Sequence, residues 1–234
     1  MITVCNLTAG YGKLEILQDL SLSFAAEQFS AVLGPNGSGK STLMKAVMGV
    51  NRIFAGSIRL EDKELVGMPT EAIAGLGLAY VPQRENIFDE LSVLENLQLG
   101  CRSLPRDARP AALNELFERF PILGRRQTQR AVTLSGGEHQ MLAIAIGWLS
   151  RPRLMLLDEP SAGLAPAIAS EVFGVLQTLS ESGITLIVVE QNARRILQHC
   201  DYAYVLREGR LAFQGTAAEC LADEETIKGY LGVH

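Results

Sequence analysis

The run Gly34-Pro35-Asn36-Gly37-Ser38-Gly39-Lys40-Ser41, followed by Thr42, carries the clearest chemistry in the chain. Its spacing satisfies GxxxxGK[ST], in which glycines let backbone N–H groups curl around phosphate oxygens. Lys40 would neutralise β- and γ-phosphates, and the Ser41 hydroxyl would ligate Mg²⁺. A second cluster, Asp158-Glu159, ends the apolar run Leu154-Met155-Leu156-Leu157. Beside a phosphate cradle, one carboxylate can hold Mg²⁺ while the other orients or deprotonates the attacking water. A third stretch, Leu134-Ser135-Gly136-Gly137-Glu138, has capping-box spacing and would expose helix N-terminal amides to an anion. Taken alone, it reads as an ordinary capped helix start, and only its position between the other two motifs changes that.

These residues need strands that end in loops. Ser30 to Leu33 is a compact apolar run entering Gly34, and Leu43 to Val47 has helical character closed by Gly49. The phosphate-binding loop therefore falls between a buried strand and a helix, the context its function requires. Ile2, Val4 and Leu7, then Leu20, Leu22 and Phe24, nearly alternate with polar residues, as half-buried antiparallel strands do. Gly56 to Glu61 and Leu78 to Val81 are further strands, the second stopped by Pro82. From Glu90 to Leu149 the pattern is helical, with a capping box at Ser92-Val93-Leu94-Glu95 and Pro110 in the first turn of a helix towards Phe120. Buried strands return at Leu154 to Leu157 and Thr185 to Val189, flanking a helix from about Pro166 to Ser180. Tyr202 to Leu206 and Leu211 to Gln214 form a hairpin, and a short helix, Glu224 to Leu231, ends the chain.

Composition narrows the class. The 234 residues are 47% hydrophobic and 20% charged, which suits a packed core and not a disordered chain. Lys and Arg number 21 against 26 Asp and Glu, a net charge of -5. The basic runs go no further than pairs such as Arg125-Arg126 and Arg194-Arg195, so nucleic acid is not the expected partner. The longest apolar stretch, Met141 to Leu149, falls far short of the roughly 20 residues of a spanning helix. Cys5, Cys101, Cys200 and Cys220 are scattered without a CxxC pair, and the N-terminus lacks a secretory pattern. The expected location is the cytoplasm, with any membrane role exercised through a partner.

The order of these motifs resembles that of ATP-binding cassette (ABC) ATPase subunits, over essentially the whole length. The resemblance implies an α/β P-loop NTPase: a mixed-sheet core, an N-terminal antiparallel β subdomain and an inserted helical signature subdomain at about residues 84–150. Residues 1–234 would form one cassette domain. It implies ATP and Mg²⁺ as cofactors, with Ser41, Gln83 and Asp158 around the metal and Glu159 as catalytic base. Tyr11 matches the aromatic that stacks on adenine, though a lone Tyr can equally be a packing residue. Gln83, after the strand ending at Pro82, matches the residue that reports nucleotide state to membrane subunits. Leu134 to Glu138 matches the signature that closes on ATP held by a second subunit, so Ser135, Gly136 and Gly137 would serve a partner's nucleotide.

Two departures narrow the likeness. Where most of the family has His after the strand Thr185 to Val189, this chain reads Glu190-Gln191-Asn192-Ala193, placing Gln191 at the γ-phosphate contact. The loop after Glu159-Pro160 reads Ser161-Ala162-Gly163-Leu164-Ala165-Pro166, without the usual Asp. Both features, with the compact length and the ending Tyr230-Leu231-Gly232, are similar to the shorter ATPase subunit of branched-chain amino acid importers. Importers for urea or short amides share much of the pattern. The implied partners are integral-membrane permease subunits and a second cassette, a paralogue or a copy, with a substrate-binding protein engaged only indirectly. A ribosome- or DNA-directed ABC protein would resemble a tandem cassette or carry long coiled coils. A P-loop kinase leaves Leu134 to Glu138 and Gln83 unexplained, and an exporter cassette is usually fused to spanning helices.

Overall fold

Alternating apolar and polar residues fold the N-terminal part into an antiparallel sheet in the computed structural model, which describes residues 1–84 and 86–223. Strand β1 (Ile2–Tyr11) pairs with β2 (Leu14–Phe24). Their imperfect alternation has a cause: the register shifts between Val4 and Leu7, and Asn6 and Asp19 take positive φ values of 47 and 53 at this bulge. The bulge restores Leu7 to the buried face already occupied by Ile2 and Val4.

The chain then forms β3 (Phe29–Leu33), α1 (Lys40–Val47), β4 (Arg52–Leu60) and β5 (Lys63–Glu64). Strands β4 and β5 complete the first sheet, in the order β2-β1-β4-β5. After α2 (Thr70–Ala74) and β6 (Leu78–Val81) comes the helical insertion: α3 (Val93–Gly100), α4 (Arg109–Arg119), α5 (Pro121–Arg125) and α6 (Gly136–Leu149). The chain returns through β7 (Leu154–Asp158), α7 (Pro166–Glu181), β8 (Thr185–Glu190) and α8 (Ala193–Ile196). The hairpin of β9 (Tyr202–Arg207) and β10 (Arg210–Thr216) and helix α9 (Ala217–Ala222) follow. The expected helix Glu224 to Leu231 lies outside the described residues.

The second sheet runs β10-β9-β3-β8-β7-β6, parallel except for the β9–β10 hairpin. Its central strands are buried on both faces, which is why they read as unbroken apolar runs. Their side chains still alternate. Ala31, Leu33, Met155, Leu157, Leu186 and Val188 join the core under the helical insertion and α7. Val32, Leu154, Leu156, Ile187 and Val189 join the core shared with α1 and the antiparallel sheet. The mixed sheet is therefore the wall between two apolar cores, and its strand ends are fixed from both sides. Both capping boxes in the helical insertion form as the spacing predicts, at Ser92 with Glu95 and at Ser135 with Glu138.

Candidate active site

Four neighbouring parallel strands release their polar residues at one edge. Leu33 pairs with Glu190, Asp158 with Val189, and Val81 with Leu157, so Gly34, Gln191, Glu159 and Gln83 emerge close together. Carboxyl ends of parallel strands are where open α/β sheets bind ligands.

The loop leaving β3 turns into α1 through Gly39, whose φ is 101. A Cβ there would lie 2.5 Å from the Leu17 side chain, so a larger residue would be strained by conformation and by contact. The helix has no side-chain cap and no acid in its first turn, leaving its N-terminal amides to the loop. Lys40 Nζ donates to the carbonyls of Gly34 (2.8 Å) and Pro35 (3.1 Å) and lies 3.9 Å from Glu159. Burial pushes the Lys40 ammonium below its ordinary pKa, opposed by the charges of Glu159, Asp158 and Glu190. The Ser38 carbonyl accepts from the Gly209 N–H (3.1 Å), tying the loop to the β9–β10 turn.

The two carboxylates at the end of β7 have different surroundings. Asp158 is buried; one oxygen accepts from Ser41 Oγ (2.9 Å) and the other from the Tyr80 hydroxyl (3.3 Å). Burial, reinforced by Asp158, pushes the Tyr80 phenol well above its ordinary range. Glu159 takes a positive φ of 48, and its N–H donates to Val189 O (2.9 Å). Its carboxylate accepts from Gln83 Nε2 at 2.8 Å.

Between these groups lies a cavity of about 640 Å³, lined by Tyr11, Asn36, Lys40, Gln83, Glu159 and Gln191 with Gly37, Gly39, Ser41 and Thr42 of the loop. Tyr11 is exposed, with Lys45 Nζ 5.7 Å from its ring centroid. The residues present fit a nucleotide with Mg²⁺. Ser41 and Asp158 already share a hydrogen bond, and their hard oxygens suit that ion. The Gln83 amide nitrogen donates to Glu159, and its carbonyl oxygen is chemically able to accept a hydrogen bond or ligate a hard cation.

Ser135, Gly136 and Gly137 do not line this cavity. They sit at the start of α6, where Ser135 N and Oγ both donate to Glu138 Oε2 (2.9 Å each). Gly137 is buried against α7; a Cβ there would come within 2.2 Å of Ile168 Cγ2. Sequence reasoning missed two residues of this region. Tyr80 orients Asp158, and Glu190 ends β8 at 2% exposure. Burial raises the Glu190 carboxyl pKa, against the lowering effect of its Ser161 and Gln191 hydrogen bonds. A lone carboxylate closing an apolar strand run was the available signal for Glu190.

A family model described as ABC transporter matches residues 17–162. The high-affinity branched-chain amino acid transport ATP-binding protein BraG of Pseudomonas aeruginosa is 40% identical, across 99% of this chain and 100% of its own. The lipopolysaccharide export system ATP-binding protein LptB of Escherichia coli is 34% identical, across 99% of this chain and 97% of its own. Among solved structures, a nucleotide-free ATP-binding cassette from an ABC transporter superposes with a TM-score of 0.88 at 23% identity, covering 100% of this chain and 99% of that one.

Proposed function

The chain belongs to the ABC transporter family as an ATP-hydrolysing cassette that uses ATP and Mg²⁺, and from that premise we propose that it powers uptake of branched-chain or other hydrophobic amino acids. The observation carrying this reading is Gln191 in the Glu190-Gln191-Asn192-Ala193 tetrapeptide, with the Asp-free loop Ser161 to Pro166. The full-length likeness to BraG supports it. The likeness to LptB favours a second reading, a cassette serving a lipid exporter.

In the proposed mechanism the loop amides and Lys40 bind the phosphates, and Tyr11 stacks on the adenine. Mg²⁺, when bound through Ser41, Asp158 and Gln83, offsets phosphate charge. Glu159 accepts a proton from the attacking water, and Gln191 donates an amide hydrogen bond to a γ-phosphate oxygen. Asp158 is unsuited to the base role, because both its oxygens already accept O–H donors. Ser135, Gly136 and Gly137 serve ATP on a second cassette, so the working unit is a head-to-tail pair. No helix among the described residues is long and apolar enough to cross a membrane. As an importer's ATPase subunit, the cassette is proposed to act at the cytoplasmic face of separate permease subunits.

Affinity purification from membranes tests the reading. The membrane proteins recovered with the chain, reconstituted in vesicles with any soluble binding protein of the system, should take up leucine, isoleucine or valine with ATP. Lipid extraction without amino acid uptake would favour the exporter reading. Pairing is tested by mixing Lys40→Ala and Ser135→Arg chains, each inactive alone. Mixed dimers would regain one intact site, whereas no regained activity would count against sharing.

A further inference from the structure

The mechanism above makes no use of Glu190, yet this carboxylate joins two walls of the nucleotide cavity. Its Oε1 accepts from the Ser161 backbone N–H at 2.8 Å, and its Oε2 lies 3.3 Å from the Gln191 N–H. Ser161 stands two residues beyond Glu159, and its neighbour Ala162 lines the cavity, as does Gln191. The segment after Glu159 is a tight turn. Glu159 and Gly163 have positive φ values of 48 and 75, and Ala162 N donates to Glu159 O (3.1 Å) while Leu164 N donates to Ser161 O (3.2 Å). These bonds hold the turn to itself. The Ser161 N–H instead reaches across to β8, and Ser161 is only 6% exposed, so water is a poor substitute acceptor.

Keeping a carboxylate at 2% exposure is costly, so an apolar residue completing β8 would pack more cheaply. What the side chain supplies is an acceptor oxygen for the Ser161 N–H, carried on a rigid strand end. β8 itself is clamped between β3 and β7, with Glu190 opposite Leu33 at the root of the phosphate-binding loop. A group fixed there can hold the turn beyond the base and the backbone of Gln191 in one geometry.

We propose that Glu190 is a positioning residue for hydrolysis: it sets the Glu159-to-Ala162 turn relative to Gln191, and so acts on turnover and not on nucleotide affinity. The proposal rests on the site reading above, in which Glu159 and Gln191 face the γ-phosphate.

Two substitutions separate positioning from packing. Glu190→Met fills similar volume without an acceptor, leaving the Ser161 N–H unpaired. Glu190→Gln keeps a carbonyl oxygen for Ser161 and loses only the longer contact to Gln191. In steady-state ATPase assays of the full chain, Glu190→Met should lower kcat by at least about tenfold, equivalent to about 1.4 kcal/mol. Its Kd for trinitrophenyl-ATP should stay within about threefold of wild type, and Glu190→Gln should keep kcat within about threefold. The proposal is overturned by a smaller kcat loss in Glu190→Met, by a Kd that weakens beyond that margin, or by a larger loss in Glu190→Gln. If Glu190→Met is insoluble, Glu190→Ala, which also removes the acceptor for the Ser161 N–H, is read on the same thresholds beside Glu190→Gln. Glu159→Gln, run in parallel, tells the two failures apart. Wild-type turnover there would sink the site reading, while a slow Glu159→Gln beside a fast Glu190→Met would sink this inference only.

Discussion

Replacing Glu159 by Gln changes one oxygen for an NH₂ group and removes the only carboxylate among the described residues lining the nucleotide cavity. The side chain keeps its shape, and its amide oxygen can still accept from Gln83, which now donates at 2.8 Å. Ser41 and Asp158 are untouched, so the contacts proposed for the phosphates and Mg²⁺ survive. What disappears is the proton acceptor. A positioned general base contributes about 10²–10⁴-fold, or about 2.7–5.4 kcal/mol in the barrier. Lys40, 3.9 Å away, also loses the largest charge opposing its desolvation, but it keeps Asp158, Glu190 and the bonds to the Gly34 and Pro35 carbonyls. ATP affinity should therefore change far less than turnover. The assay pairs single-turnover hydrolysis of radiolabelled ATP with equilibrium binding of the same nucleotide. Retention of bound, unhydrolysed ATP is the expected result. Hydrolysis within threefold of wild type would refute the assignment and return the base role to some other group.

Gln191→Ala should cost turnover about 0.5–1.5 kcal/mol, the range for a neutral hydrogen bond, which is roughly a two- to twelvefold slowing. Gln191→His should stay active; unchanged hydrolysis in Gln191→Ala would show that Gln191 only ends the strand. At the start of α6, hydrogen bonding from the Ser135 N–H holds the Glu138 carboxyl below its usual range, with the Ser135 hydroxyl and Arg126 assisting against desolvation. A depressed carboxyl stabilises the fold above its unfolded pKa and loses that contribution as pH falls through its folded value. The Tm gap between wild type and Glu138→Ala should therefore be widest near pH 7 and shrink in acid; a gap independent of pH would contradict this. Gly137→Ala should lower the unfolding free energy obtained from urea titration by about 1–3 kcal/mol, through overpacking against Ile168. Adding Ile168→Ala should recover part of that loss, and additive effects would exclude the contact as the cause.

Local chemistry explains what could be read from the sequence. The phosphate loop, both capping boxes and the Pro110 helix start depend on residues within a turn or two, and each stands where its spacing puts it. The buried strands were equally readable, because burial on both faces leaves an unbroken apolar run. Boundaries shifted where local signals were weak: α1 begins at Lys40 because the Gly39 turn feeds straight into it, and β4 starts at Arg52, well before Gly56. Short elements such as α2, α8 and α9 have too few residues to display a helical period. The importance of Glu190 and Tyr80 was hidden for a different reason. Each matters through a partner on another strand or loop, Ser161 for Glu190 and Asp158 for Tyr80, and only the parallel register brings them together.

The strand ends also pose a problem of charge. Lys40 is surrounded by the carboxylates of Asp158, Glu159 and Glu190, yet the site must receive a polyphosphate. Each carboxylate is quieted in its own way. Asp158 accepts two hydroxyl donors and is the side chain proposed for Mg²⁺, so its charge is committed to a cation. Glu190 is withdrawn from solvent, and burial favours its neutral form. Glu159 alone faces the cavity, between the Gln83 amide and Lys40. Of the three, it is therefore the one whose lone pairs can be turned towards a water without giving up a hydroxyl donor or a buried backbone contact. The division of labour among three acids follows from the register of four strands, which gives each a different depth and a different set of donors.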